Sequence, residues 1–276
     1  MSRLRALLRL VRVVHVLVGT RVSFGIASLQ PDASVTRRTR RARRAATRLA
    51  QVLGLELHVS GFAPTEPALL VANHRSYTDI LALLACIECT FLAKVEMSRW
   101  PLFGSLARRL GTVFVDRDCK ESRRAARRRL AELLEEGRRV AVFPEGTTTR
   151  GPGCLPFQPG MFYAAAERGI PVVPVSLHYE HTEDAWVGDD TLLRHFFDRF
   201  ARPAMRLHVR FGPALSHDDG AALRRAAEAW IAESVERTAR AVRGWEAAQR
   251  QGGRDGRPHF VPRGAPVPAG ADPSGG

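Results

Sequence analysis

The sequence predicts an α/β fold, a central mixed, largely parallel sheet flanked by helices, with an N-terminal amphipathic helical arm facing a membrane. Three observations predict it. Short apolar runs alternate with helical stretches along most of the chain, which is the pattern of strands covered on both faces. With 276 residues, 45% of them hydrophobic and 25% charged, the chain can bury a core of its own. The basic charge is concentrated at one end: residues 1–50 hold twelve Arg against the single acid Asp32, which is +11 of the net +14.

Leu4 to Val18 is the first helix, with Leu7, Leu8, Leu10, Val11, Val13, Val14, Leu17 and Val18 on a broad apolar surface and Arg5, Arg9 and Arg12 in a stripe. A spanning helix needs about 20 largely apolar residues. The longest charge-free run before Arg21 is Val13 to Thr20, so the segment reads as interfacial. Arg9 and Arg12 also interrupt any signal-peptide core, so a signal peptide is not expected. A second, Arg-rich helix covers about 34–53. Strands are predicted at 55–59, 68–72, 90–93, 112–115, 139–143, 171–178 and 206–211. Helices are predicted at 76–86, 101–110, 121–136, 161–168, 191–200 and 218–247. From Gly252 the composition turns to Gly, Pro, Asp and Arg, which cannot order itself by burial. The expected organisation is a basic interfacial arm over 1–50, a catalytic domain over 51–248 and a disordered tail over 249–276.

Composition excludes some classes. Cys86, Cys89, Cys119 and Cys154 are too few and too irregular for a disulfide scaffold. Cys86 and Cys89 have C-x-x-C spacing, but no second pair follows, so neither a zinc site nor a redox pair is expected. The excess of Arg, 40 of 42 basic residues, carries little functional information in an Ala- and Gly-rich chain. Such charge suits nucleic acid or an anionic lipid surface equally. No nucleic-acid reading motif occurs and aromatics are sparse, so a nucleic-acid partner is not expected.

The chemistry is carried by four segments. Val71-Ala72-Asn73-His74 ends a buried strand, and Asp79 follows five residues after the histidine, at the start of a helix. An imidazole titrates ordinarily near about 6.5, and a neighbouring carboxylate fixes its tautomer and stabilises the imidazolium, so His74 and Asp79 can form a general-base pair. Later come Gly111-Thr-Val-Phe114-Val-Asp-Arg117, then Phe143-Pro-Glu145-Gly146-Thr147, then Pro171-Val-Val-Pro174-Val.

In this order the blocks N-H-x-x-x-x-D, G-x-x-F-x-x-R, F-P-E-G-T and V-P-V resemble those of the glycerolipid acyltransferases, the family that includes 1-acylglycerol-3-phosphate acyltransferases. The resemblance spans about residues 50–215. It implies that His74 deprotonates an acceptor hydroxyl with Asp79 as its partner, and that the hydroxyl attacks an acyl thioester directly. It also implies an acceptor site at Arg117, Glu145, Gly146, Thr147, Asn73 and Gly111, with Arg117 on the phosphate. No cofactor or metal is implied. The partners it implies are a lysolipid and acyl-CoA or acyl-acyl carrier protein; with the basic amphipathic arm, an anionic membrane surface is also expected, with peripheral or monotopic placement on the cytoplasmic face of the cell membrane.

The acceptor expected from the blocks is 1-acylglycerol 3-phosphate, giving phosphatidic acid in phospholipid biosynthesis. One departure bears on it. Relatives that use that acceptor usually follow E-G-T with Arg, whereas here Thr148 and Thr149 come next and Arg150 stands two positions late. Thr148, with the later Ala185-Trp-Val-Gly-Asp-Asp190, is more like relatives that acylate other lysolipids, lyso-ornithine lipid among them. The arginines at 123, 124, 127, 128 and 129 read mainly as a solvated helix face, with lipid headgroups or the phosphates of coenzyme A as the alternative.

Overall fold

A computed structural model describes residues 2–28, 35–100, 103–151, 153–188 and 190–250. Two helices lead, α1 (Ser2–Ser28) and α2 (Val35–Leu53), followed by β1 (Leu55–Ser60), β2 (Leu69–Ala72), α3 (Thr78–Cys86) and β3 (Thr90–Lys94). Then come α4 (Phe103–Arg109), β4 (Val113–Val115), α5 (Lys120–Glu135), β5 (Val140–Val142), α6 (Gly160–Ala166), β6 (Val172–Tyr179), α7 (Leu192–Arg199), β7 (Met205–Phe211) and α8 (Gly220–Arg250). The seven strands form one sheet in the order β1-β7-β6-β2-β5-β3-β4. Only the β6–β7 pair runs antiparallel. The expected mixed, largely parallel sheet is what forms.

Strand periodicity divides the core into two layers. Leu70, Ala72, Val173, Val175 and Leu177 face Ala50 and Leu53 of α2, Ala82 and Leu83 of α3, Phe196 of α7 and Phe200 just after it. Leu69, Val71 and Val172 face the other way, against Leu130, Leu133 and Leu134 of α5, Phe162 of α6, and Leu223, Ala227 and Ile231 of α8. Burial on both faces explains why β2 reads as an unbroken apolar run rather than an alternating one.

Two differences from expectation concern local structure. The first helix continues to Ser28 instead of ending near Val18, because nothing between Gly19 and Ser28 breaks it: Gly19 and Gly25 are tolerated, and Arg21 reaches Ser105 Oγ at 3.1 Å. Short 3₁₀ turns at Val95–Arg99 and Thr182–Asp184 were not predicted, having too few residues to show a period. The expected disordered tail lies outside the described residues from 251 onward, while α8 runs to Arg250.

The arginine stripe of α1 splits on folding. Arg5 donates to the Ala201 carbonyl at 2.9 Å. Arg9 donates to the carbonyls of Phe200, Arg202 and Pro203 at 2.9, 2.6 and 2.7 Å. Both side chains thus satisfy the carbonyls where α7 ends, a favourable place for cations. Gly54, between α2 and β1, has φ 73, and a Cβ there would stand 2.8 Å from the Pro203 carbonyl, so only glycine lets the chain pass. Leu4, Leu7, Leu8, Val11, Val14, Val18 and Val22 remain exposed along α1 at spacings of three and four residues. On α2, Ala42, Ala45, Ala46 and Ala50 are buried, while Arg37, Arg38, Arg40, Arg43, Arg44 and Arg48 are exposed. Among the described residues no helix is long and apolar enough to cross a membrane.

Candidate active site

The site is built where β2 and β5 end side by side, the edge at which parallel sheets present loops. Asn73 leaves β2 fully buried, donating to the Leu177 carbonyl and accepting from the Leu177 amide, both at 2.8 Å. That double bond continues the sheet by a side chain and fixes the direction in which His74 departs. His74 Nδ1 meets Asp79 Oδ2 at 2.8 Å. The His74 ring stacks on Phe143 of the neighbouring strand end, with centroids 4.0 Å apart and planes 15° apart. The side chain is 17% exposed. With Nδ1–H committed to the carboxylate, Nε2 is the nitrogen left to accept a proton.

Asp79 is 0% exposed and lies in the first turn of α3. Its Oδ2 also accepts the backbone amides of Arg75 at 2.6 Å and Ser76 at 2.9 Å, while Oδ1 accepts the Tyr179 hydroxyl at 2.6 Å. Four donors, together with the amino end of α3, make a buried carboxylate tolerable.

Glu145, expected on the acceptor, is buried, and both its oxygens are taken by backbone. Oε1 accepts from the His74 amide at 2.7 Å and Oε2 from the Leu155 amide at 2.8 Å. Burial raises its pKa against the lowering effect of those two amides. The carboxylate therefore ties the His74 loop to the end of the loop that follows β5. Arg75 holds the middle of that same loop: its guanidinium is buried and donates to the carbonyls of Thr149, Gly151 and Gly153. The Thr149 amide returns a bond to the His74 carbonyl at 3.0 Å.

Gly146 has φ 75, and its carbonyl accepts from the Arg117 guanidinium, which brings Arg117 from beyond β4 to the turn after β5. Arg123 in turn donates to the Arg117 carbonyl, so α5 anchors the segment. Arg128 and Arg129 pair with Glu132 or Glu136 on the exposed face of α5, as a solvated helix face would. Thr147 is exposed at the turn. Gly111 closes α4, its amide bonded to the Arg108 carbonyl at 3.0 Å. Asn73 and Gly111 thus have structural positions of their own, and His74, Asp79, Glu145, Gly146 and Arg117 form the connected set.

Cys86 and Cys89 are free thiols. Burial raises both, Cys86 to about 12, which disfavours the thiolate that metal binding or redox exchange needs. Among the described residues no group of three or more His, Cys, Asp or Glu is placed to hold a metal ion.

Sequence reasoning missed Tyr179, Arg75 and the Phe143 ring. Tyr179 carried a signal: it follows Val173, Val175 and Leu177 at intervals of two, on the face turned toward α3. Arg75 occupies a variable position of the first block and gave none.

A partly open histidine paired with a buried aspartate at the carboxyl ends of a largely parallel sheet defines an α/β enzyme arranged for proton transfer. The family model for the Acyltransferase domain matches residues 54–178. The lyso-ornithine lipid O-acyltransferase of Pseudomonas aeruginosa is 41% identical over 204 residues, covering 71% of this chain and 79% of that protein. The 1-acyl-sn-glycerol-3-phosphate acyltransferase of Neisseria gonorrhoeae is 37% identical over 129 residues, and the match spans about half of each, 46% and 51%. The crystal structure of the 1-acyl-sn-glycerophosphate acyltransferase PlsC from Thermotoga maritima superposes with a TM-score of 0.65 at 21% identity, covering 86% of this chain and 98% of that one, and so shares the fold. The chain belongs to the Acyltransferase family and is an acyltransferase.

Proposed function

We propose that the protein transfers a fatty acyl group from an acyl thioester, carried by coenzyme A or acyl carrier protein, to the hydroxyl of a lysolipid. The observation that carries this reading is the His74–Asp79 pair, 2.8 Å apart, with the ring partly open to solvent. His74 Nε2 takes the hydroxyl proton as the acceptor oxygen attacks the thioester carbonyl. The C–O bond forms, the C–S bond breaks, and the proton passes to the departing thiolate. No acyl-enzyme is needed, because the thioester is already activated and the acceptor is itself the nucleophile. Glu145 and Arg75 hold the loop beside the base, and Arg117 lies across the same turn.

Lyso-ornithine lipid is the acceptor favoured here. Thr148 stands where phosphatidate-forming relatives place Arg, and the similarity to the Pseudomonas aeruginosa lyso-ornithine enzyme is both higher and longer than that to the Neisseria gonorrhoeae protein. Lysophosphatidic acid is the second reading, and Arg117 favours it, as a multi-donor cation suited to a phosphate monoester. Attachment is peripheral, through the exposed apolar stripe of α1 and the exposed arginines of α2, on an anionic surface.

Purified protein offered both acceptors with both donors tests the reading. His74→Ala should fold and lose about 10²–10⁴-fold in turnover. Near-wild-type turnover would remove the mechanism. Arg117→Ala should raise KM for lysophosphatidic acid far more than for lyso-ornithine lipid, and Thr148→Arg should favour lysophosphatidic acid. Parallel responses would show that neither residue reads the headgroup.

A further inference from the structure

The hydrogen-bond chain behind the His–Asp pair does not stop at Asp79. Tyr179 ends β6 as a buried side chain, and its hydroxyl lies 2.6 Å from Asp79 Oδ1 and 2.6 Å from Thr78 Oγ1. The directions of these bonds follow from chemistry. An ionised carboxylate only accepts, so the phenol must donate to Asp79, and the Thr78 hydroxyl must then donate to the phenolic oxygen. The result is a one-way chain: Thr78 to Tyr179, Tyr179 to Asp79, with His74 Nδ1–H arriving at the opposite oxygen of the same carboxylate. Desolvation together with the charge of Asp79 holds the phenol well above its ordinary pKa, so it stays a donor throughout the working range.

We infer that Tyr179 is a positioning residue for acyl transfer, which sets the orientation and the electron density of Asp79 and thereby the pH at which His74 becomes a competent base. It rests on the reading of His74 as the base. The argument is one of placement and of charge. The amides of Arg75 and Ser76 and the His74 ring all bind Oδ2. Tyr179 alone among the bonds described holds Oδ1, and so fixes the rotation of the carboxylate about its last torsion. It also draws negative charge toward Oδ1 and away from the oxygen facing His74. The other titratable or charged groups around the pair are Arg75 beside it, Glu145 from the loop after β5, His195 of α7 through Tyr77, and Asp184, whose charge acts on Tyr179.

The sign of the effect can be worked out. Without the phenol the carboxylate carries more charge at Oδ2 and holds the imidazolium more tightly. His74 then becomes neutral at higher pH, and the acid limb of kcat/KM moves upward. Tyr179→Phe should move that limb by roughly half a unit to one unit. Its plateau kcat should fall about 10- to 100-fold, because a carboxylate that has lost its Oδ1 anchor no longer holds the imidazole in line and this misplacement outweighs the firmer grip on the imidazolium, and KM for the acceptor should stay unchanged, since a buried phenol touches no substrate. Site-specific 3-fluorotyrosine at 179 nearly preserves volume and makes the phenol a stronger donor, so its limb should move to lower pH. The two variants are therefore expected on opposite sides of the wild type.

The experiment is the pH–rate profile of full-length protein with a lysolipid acceptor and acyl-CoA. His74→Ala is run alongside, and folding is checked by circular dichroism. Limbs displaced in opposite directions by phenylalanine and fluorotyrosine support the role. Superimposable profiles, or limbs displaced in the same direction, overturn it. Should Tyr179→Phe fail to fold, the fluorotyrosine protein alone decides, an unmoved limb counting against the inference. An active His74→Ala would instead sink the base assignment. A dead His74→Ala beside an unmoved Tyr179→Phe limb sinks only the part given to Tyr179.

Discussion

Replacing Asp79 by Asn separates the fold of the site from its electrostatics. An amide offers one oxygen and one NH₂ group, so only one orientation fits. The oxygen must take the Oδ2 position, where it keeps the amides of Arg75 and Ser76 and the Nδ1–H of His74. The NH₂ then faces Tyr179, whose hydroxyl turns to accept from it and donates instead to Thr78. Every buried polar group still has a partner, so Asp79→Asn is expected to fold with a small loss of stability. The charge is gone, however. Taking the separation of imidazolium and carboxylate charge centres as about 4 Å and an effective dielectric of about 20, the lost attraction is about 4 kcal/mol. That corresponds to about 10³-fold in turnover. Thiol release from acyl-CoA measures the rate, and thermal melting measures the fold. An Asp79→Asn protein within tenfold of wild type would refute the claim that this carboxylate stabilises the protonated base. A protein that melts far below wild type would refute the proposed reorientation of Tyr179.

Two further outcomes concern the rest of the molecule. His58, His208 and His178 occupy matching registers on β1, β7 and β6, with the first two rings stacked at 4.8 Å. Burial, then His208, Arg75 and Arg243, lower His178 to about 4, while its hydrogen bond with His208, followed by Arg206, holds Glu180 down to about 2. At these two groups the folded state binds fewer protons than the unfolded state, so their contribution to stability should fall from about pH 6.5 toward 4 through His178, and further toward 2 as Glu180 loses its charge. Denaturant midpoints measured against pH should show His178→Gln flattening the first step, and an unaltered slope would dismiss the histidine's part. On α1, Leu7, Leu8 and Val11 are exposed by 49, 49 and 60%. Changing all three to Ser should remove about 1 kcal/mol each and weaken binding to anionic vesicles roughly 100-fold in flotation, leaving turnover on detergent-dispersed acceptor intact. Undiminished flotation would move the attachment site elsewhere.

Legibility in the sequence followed the range of the interactions involved. The strands and helices that carry the sheet were readable because their burial patterns are local, and His74 and Asp79 because a loop and one helical turn bring them together within five residues. What the sequence withheld depended on partners far along the chain. The arginine stripe of α1 looked like one basic face, yet Arg5 and Arg9 serve carbonyls almost two hundred residues away at the end of α7, and the face left open is apolar. Glu145 is expected on the acceptor from the family resemblance alone, since Pro-Glu-Gly by itself reads as a turn. Its bonds from the backbone amides of His74 and Leu155 come from segments outside its own turn, so no reading of that turn could show them. The same reasoning explains how the base is supported. His74 leaves its strand with its amide on Glu145, its ring on Phe143 and its Nδ1 on Asp79, while Asn73 beside it is bound to β6. Three strands therefore set the position of one imidazole, and a change in the packing of any of them should register as lost turnover before it registers as lost fold.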